Sequence, residues 1–325
     1  MAEPIDDRKA RHPTPPHPVK RHEPLPGRHP KPREDDAGAP DRVAKILACP
    51  SYRLAEEDLD FLARPDLRSV RLNLEYLKAE TLLTEHGISD TIVVFGGTRI
   101  IERDAAARAL REIDQALAAR PHDAVLQQKR KIAERVFAKS KYYDMARELG
   151  QIVGQAEPLA HGGRIVVMTG GGPGIMEAAN RGACEVGARS VGLNISLPQE
   201  QFPNPYITPE LCLRFHYFAV RKFHFVVRAR ALVAFPGGYG TLDELFEILA
   251  LSQTRKTMPV PVVLVGEDYW RKVFDANFLV DEGVIDPEDR ELMWYANSAE
   301  DAWESILRWY EMKGEPLLKR RIEAP

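Results

Sequence analysis

Two short segments of this chain place glycine where an anion could approach the backbone: Gly170-Gly-Gly-Pro-Gly174 and Pro236-Gly-Gly-Tyr-Gly-Thr241. Each follows an apolar, β-branched run and leads into a helical pattern. The first turn of a helix offers unpaired N–H groups and a partial positive charge, and missing Cβ atoms let a phosphate come close. Thr241 stands at the start of the second helix, where its hydroxyl could cap the helix or meet a phosphate. Asp243 and Glu244 follow in the same first turn. Acidic residues there commonly serve the helix dipole, for about 0.3 to 1 kcal/mol, yet a carboxylate one turn from a phosphate cradle also lies where a sugar would sit. Upstream, Arg221 and Lys222 fall on an aromatic, helical run that could return one of them to the same crevice, and the arginine fork suits phosphate best. Neither segment has the GxGxxG spacing of dinucleotide-binding folds, and no GxxxxGK[ST] is present, so a P-loop ATPase is disfavoured.

The elements that must hold these residues are legible in the hydrophobic pattern. Thr91-IVVFGG, Arg164-IVVMTGGG, Ser190-VGLNI, Ala231-LVAFPGG, Pro261-VVLVG and Leu292-MWYA read as strands, with helical stretches between them. The strands are continuous apolar runs, as expected of a parallel sheet covered on both faces. The fold class is therefore α/β, a Rossmann-like doubly wound sheet from residue 90 to 314. A helical insertion is expected near 101–139, a helical preface at 41–89, where Leu67, Val70, Leu74, Leu77 and Leu82 roughly keep a 3.6 period, and a short tail at 315–325. Residues 1–40 are crowded with Pro, His and charge and should be disordered. In this reading a single helix from Phe215 carries Arg221, Lys222, Arg228 and Arg230, the last two as a solvated face.

Bulk numbers exclude several classes. The 325 residues are 44% hydrophobic and 29% charged, enough for a packed core, and 45 basic against 48 acidic residues give no global attraction to nucleic acid or anionic membrane. Cys49, Cys184 and Cys212 lack metal or disulfide spacing and read as small buried hydrophobes. The histidines of the N-terminal segment, His12, His17, His22 and His29, fit no rigid metal site. Neither a membrane span nor a signal peptide is evident, which leaves the cytoplasm as the expected compartment.

Gly170-GGPGIMEAANRGA, Arg221-Lys222 and the PGGxGTxxE pattern at Pro236–Glu244 together resemble the Lonely Guy family of phosphoribohydrolases, over roughly half the chain. The resemblance implies a Rossmann-like fold and cleavage of a nucleoside 5′-monophosphate, AMP or a cytokinin ribotide, into free base and ribose 5-phosphate. It implies Arg221 and Glu244 as catalytic residues, and Gly171, Gly172, Gly174, Lys222, Gly237, Gly238, Gly240 and Thr241 as the phosphate and substrate site, with neither cofactor nor metal. A homodimer or larger homo-oligomer is also implied. Family members usually carry Gly-Ser after the first strand; here Gly96-Gly97-Thr98-Arg99 stands there, so that hydroxyl contact should be shifted or lost. A lysine decarboxylase would need pyridoxal phosphate on Lys222, which nothing else in the sequence supports. The competing class is a nucleotide sensor or single-strand DNA-binding Rossmann module without catalysis, suggested by the aromatic and basic run Phe215–Arg230.

Overall fold

The computed structural model describes residues 17–21, 23–199 and 202–319. Residues 1–16 of the expected disordered tail, with His12, and also His22 lie outside them, as does the end of the expected C-terminal tail. The chain divides into two compact units, Met1–Arg68 and Ser69–Pro325, so the boundary falls inside the expected preface. The smaller unit holds α1 (Ala39–Leu47) and α2 (Leu59–Leu62).

In the larger unit α3 (Arg68–Glu85) precedes β1 (Thr91–Phe95), and α4 (Arg103–Ala119) and α5 (Ala124–Gln155) form the expected helical insertion and its continuation. The wound core follows: β2 (Val166–Thr169), α6 (Ile175–Glu185), β3 (Ser190–Ile195), β4 (Cys212–Phe215), α7 (Phe218–Val227), β5 (Ala229–Ala234) and α8 (Tyr239–Gln253). It ends with β6 (Val262–Val265), α9 (Glu267–Val273), α10 (Ala276–Asp281), β7 (Met293–Ala296) and α11 (Ala299–Met312).

Among the described residues seven strands form one sheet, all parallel, in the order β4-β3-β2-β1-β5-β6-β7. Every residue of β1, β2 and β6 is buried, because helices cover both faces and side chains alternate between them. Ile92, Val94, Val167 and Val233 pack toward α5, α6 and α11, while Val93, Phe95, Met168 and Leu232 pack toward α3, α7, α8 and α9. The winding reverses between β1 and β5, and a crevice opens beyond their carboxyl ends, where parallel sheets bind ligands.

Four expectations need correction. Helix α7 stops at Val227, and the residues before it, Cys212–Phe215, form the strand β4; four residues of alternating burial are hidden within an aromatic run. Arg228 and Arg230 are not a solvated face. Arg228 is buried at the end of α7 and forks onto Glu80 at 2.7 and 2.9 Å, while Arg230 begins the core of β5 and pairs with buried Asp90. Cys49 and Cys184 are exposed and Cys212 is half-buried, so none is a core residue. On α3 the periodic Val70, Leu74 and Leu77 lie on the exposed side, and Ala79 and Leu83 are the residues it buries. Among the described residues no helix is long and apolar enough to cross a membrane.

Candidate functional site at the sheet switch point

A cavity of about 320 Å³ occupies the crevice between β1 and β5. Its walls come from the loop after β1, with Gly96, Gly97 and Thr98, and from the loop and first turn after β5, Gly238 to Thr241 with Asp243 and Glu244. Met176 of α6 and Phe218 and Arg221 of α7 complete it. The two loops are tied together: Phe235 N–H donates to Phe95 O at 2.8 Å, and Gly97 N–H donates to Pro236 O at 2.9 Å.

Arg221 reaches the cavity from one turn inside α7. Its Nε donates to Leu193 O within β3, 2.8 Å away, which leaves the outer guanidinium nitrogens for a ligand. Phe225 lies beneath the guanidinium, 5.2 Å from its carbon to the ring centroid. Burial lowers the pKa of this arginine and the charge of Glu244 acts in the opposite sense, so the two groups sense each other across the cavity. Glu244 stands on α8 and is 7% exposed. Burial pushes its carboxyl up to about 7, against the pull of the Lys222 and Arg221 charges. A carboxyl tuned to neutral pH in a cleft beside an arginine is a functional-site signature.

Lys222 is placed differently. Its ammonium lies 2.8 Å from Asp243 and 3.1 Å from Glu247, on the flank of α8, and it is not part of the cavity wall. It reaches the site through charge, holding α7 to α8 and favouring ionised Glu244. The same ion pairs keep it charged, with its pKa raised, so it does not fit the neutral amine that a pyridoxal aldimine needs.

The glycines separate into two groups. Gly238 and Gly240 line the cavity, and a Cβ added to either would meet nothing within 4 Å. Gly237 makes room for Thr241: a Cβ there would lie 2.1 Å from the threonine Oγ1. By contrast Gly171, Gly172 and Gly174 are not in the wall. Gly171 has φ +71° and faces Asn194, Gly172 O accepts from Asn204 Nδ2 at 3.1 Å, and Gly174, with φ +76°, lets the start of α6 approach Gly97. Sequence reasoning missed Gly96, Gly97, Thr98, Met176 and Phe218 as wall residues; the glycine pair at the end of the first strand was the available signal. At this loop, where the family's hydroxyl contact was expected to be shifted or lost, Thr98 lies in the wall.

A protein-family profile described as "Possible lysine decarboxylase" matches residues 176–306, which span α6 to α11. The chain is 29% identical to cytokinin riboside 5′-monophosphate phosphoribohydrolase LOG3 of Arabidopsis thaliana, over 50% of this chain and 73% of that protein. It is 30% identical to the Arabidopsis thaliana enzyme LOG1, over 50% of this chain and 74% of that one. The chain belongs to the Lonely Guy family. A 31% identity to the pyrimidine/purine nucleotide 5′-monophosphate nucleosidase of Escherichia coli covers 40% of this chain and 30% of that protein. Among solved structures, the Moco carrier protein from Chlamydomonas reinhardtii superposes with a TM-score of 0.40 at 19% identity, over 69% of this chain and 99% of that chain, too loosely to bear on function. The Lonely Guy pattern at Pro236–Glu244 is thus the segment that lines the cavity, while α3 lies outside the residues that the profile matches.

Proposed function

We propose that this protein hydrolyses the N-glycosidic bond of a nucleoside 5′-monophosphate, releasing the free base and ribose 5-phosphate. The observation that carries the reading is the pairing, in one cavity at the switch point, of a buried carboxyl tuned to about 7 with an arginine and two glycines that face open space. The relatives named as phosphoribohydrolases and nucleosidase support the same chemistry.

The phosphate would rest on the amides of Gly238 and Gly240 at the start of α8, near the Thr241 hydroxyl and the Arg221 guanidinium. That anchoring directs binding energy remote from the reacting bond toward positioning C1′. As the C1′–N bond breaks, its electron pair leaves with the base and positive charge builds on the ribose. Ionised Glu244 stabilises that charge and takes the proton from the water that attacks C1′, by the logic of carboxylates in glycoside hydrolysis. Phe218 and Met176 offer an apolar wall for the base. The homodimer or larger homo-oligomer implied by the family resemblance is part of this reading, and light scattering on the purified protein tests it.

Incubation with AMP followed by chromatography should show adenine and ribose 5-phosphate accumulating together. Binding of AMP with no release of adenine would instead identify a nucleotide-sensing module. A panel of AMP, GMP, CMP, dAMP and isopentenyladenosine monophosphate then ranks substrates.

A further inference from the structure

Helix α3 spends its polar side chains on α7, the helix that carries Arg221. Glu75 accepts from the backbone N–H groups of His216 and Tyr217 at 2.7 and 2.9 Å, one carboxylate oxygen to each. Arg71 Nε donates to the Tyr217 hydroxyl at 3.2 Å. Farther along, Tyr76 stacks on buried His224, with ring centroids 5.3 Å apart, and meets Phe223 edge-on. At the far end the Arg228 guanidinium forks onto Glu80 and donates through Nε to Ile88 O at 2.8 Å. One face of α3 therefore follows α7 from its N-cap residue, Tyr217, to its C-cap residue, Arg228.

The amino end of α7 needs this support. Its N-cap residue, Tyr217, makes no side-chain cap of its own, and a helix start without partners leaves costly orphan donors. The carboxylate of Glu75 instead accepts from the N–H of the N-cap residue Tyr217 and of His216 before it, so another element fixes the chain where it enters α7, with a charge suited to the helix dipole. Phe218 follows Tyr217 directly and Arg221 lies one turn on, and both line the cavity. The contacts of the Arg221 side chain, through Nε to Leu193 O and over the Phe225 ring, hold the guanidinium end but not the backbone that carries it.

We propose that α3 is a strap that sets the position of α7, and that Glu75 is a positioning residue for Arg221. The division of labour along the strap is uneven: Glu75 governs the cavity end, and Glu80 with Arg228 secures the distal end against unfolding. The inference deepens the proposed phosphoribohydrolase reading and rests on it for the role of Arg221.

The test compares Glu75→Ala, Glu75→Gln and Glu80→Gln with the parent protein, measuring AMP affinity by calorimetry, steady-state kinetics and thermal melting. Glu75→Ala should weaken AMP binding and raise KM by roughly tenfold, the scale expected when an anchor is displaced by a fraction of an ångström. Glu75→Gln, which keeps one acceptor oxygen, should recover part of that loss. Glu80→Gln should lower the melting temperature while AMP affinity and KM stay within twofold. A merely structural Glu75 would lower apparent kcat through loss of folded protein at unchanged KM and affinity, and that result overturns the proposal. If the parent protein binds AMP without releasing adenine, the hydrolase reading fails on its own, and the calorimetric comparison still decides the role of Glu75.

Discussion

The two glycine loops look alike in sequence and do different work in space. After β2, Gly171 and Gly174 adopt positive φ, and a Cβ would lie 2.1 Å from Asn194 Oδ1 in one case and 2.4 Å from Gly97 O in the other. These glycines are demanded by the architecture, because the loop must turn and α6 must approach β1 closely. After β5, Gly238 is extended, with φ −99°, and both it and Gly240 face open space. Neither turn geometry nor packing requires glycine there, and under the proposed function the open space is where the phosphate approaches. Glycine is thus ambiguous in sequence, and the neighbourhood of its absent side chain distinguishes scaffold from site.

The largest effect that sharpens this contrast lies beside the β5 loop. Glu244→Gln should lower kcat by about 10²- to 10⁴-fold, the usual range for a positioned proton-transfer group, with AMP still bound. In the parent protein kcat/KM should rise with pH through about 7 as Glu244 ionises, and that step should vanish in the variant. Normal turnover in Glu244→Gln would remove the chemistry from this loop.

Next, Gly174→Ala should cost on the order of 3 kcal/mol or more in a denaturant titration, since it combines a conformation disfavoured for side chains with a backbone clash. Gly238→Ala should leave stability within about 0.5 kcal/mol and instead raise KM for AMP several-fold. If the two substitutions exchanged these phenotypes, the assignment of scaffold and site would be reversed.

Glu244→Gln also makes a stability prediction of similar size. The folded-state pKa of about 7 exceeds the roughly 4.3 of an unfolded glutamate, so protonated Glu244 favours the fold at low pH. That contribution fades as pH rises through about 7. Glutamine never carries the buried charge, so the variant should be more stable than the parent at pH 8, by on the order of 3 kcal/mol, and equal to it near pH 4. The smallest expected change is from Thr98→Val at the β1 loop, a few-fold rise in KM from loss of one hydroxyl contact.

Much of this was legible in the chain. Six of the seven strands announced themselves as apolar runs, and the Pro236–Glu244 pattern located the wall of the cavity. The strand Cys212–Phe215 was hidden because four alternating residues merge with the aromatic pattern of α7. The pairing of Arg228 and Arg230 was hidden because their partners, Glu80 and Asp90, are more than a hundred residues away in sequence. The apolar period of α3 pointed to the wrong side of the helix, since Arg71, Glu75, Tyr76 and Glu80 reach α7 and the residues flanking it, while Val70, Leu74 and Leu77 are exposed.

By itself the sequence determined the fold class, the family and the identity of Arg221 and Glu244 as a candidate pair, because period, strand composition and a spaced motif are local properties. Only the tertiary structure decided that the cavity opens between the β1 and β5 loops, that Lys222 is an ion-paired brace and that Gly171 and Gly174 lie tight against Asn194 and Gly97. Those outcomes depend on strand order, which brings Gly97 against Pro236 and Gly174, and on the burial that sets the charge of Glu244. No short stretch of sequence specifies either one.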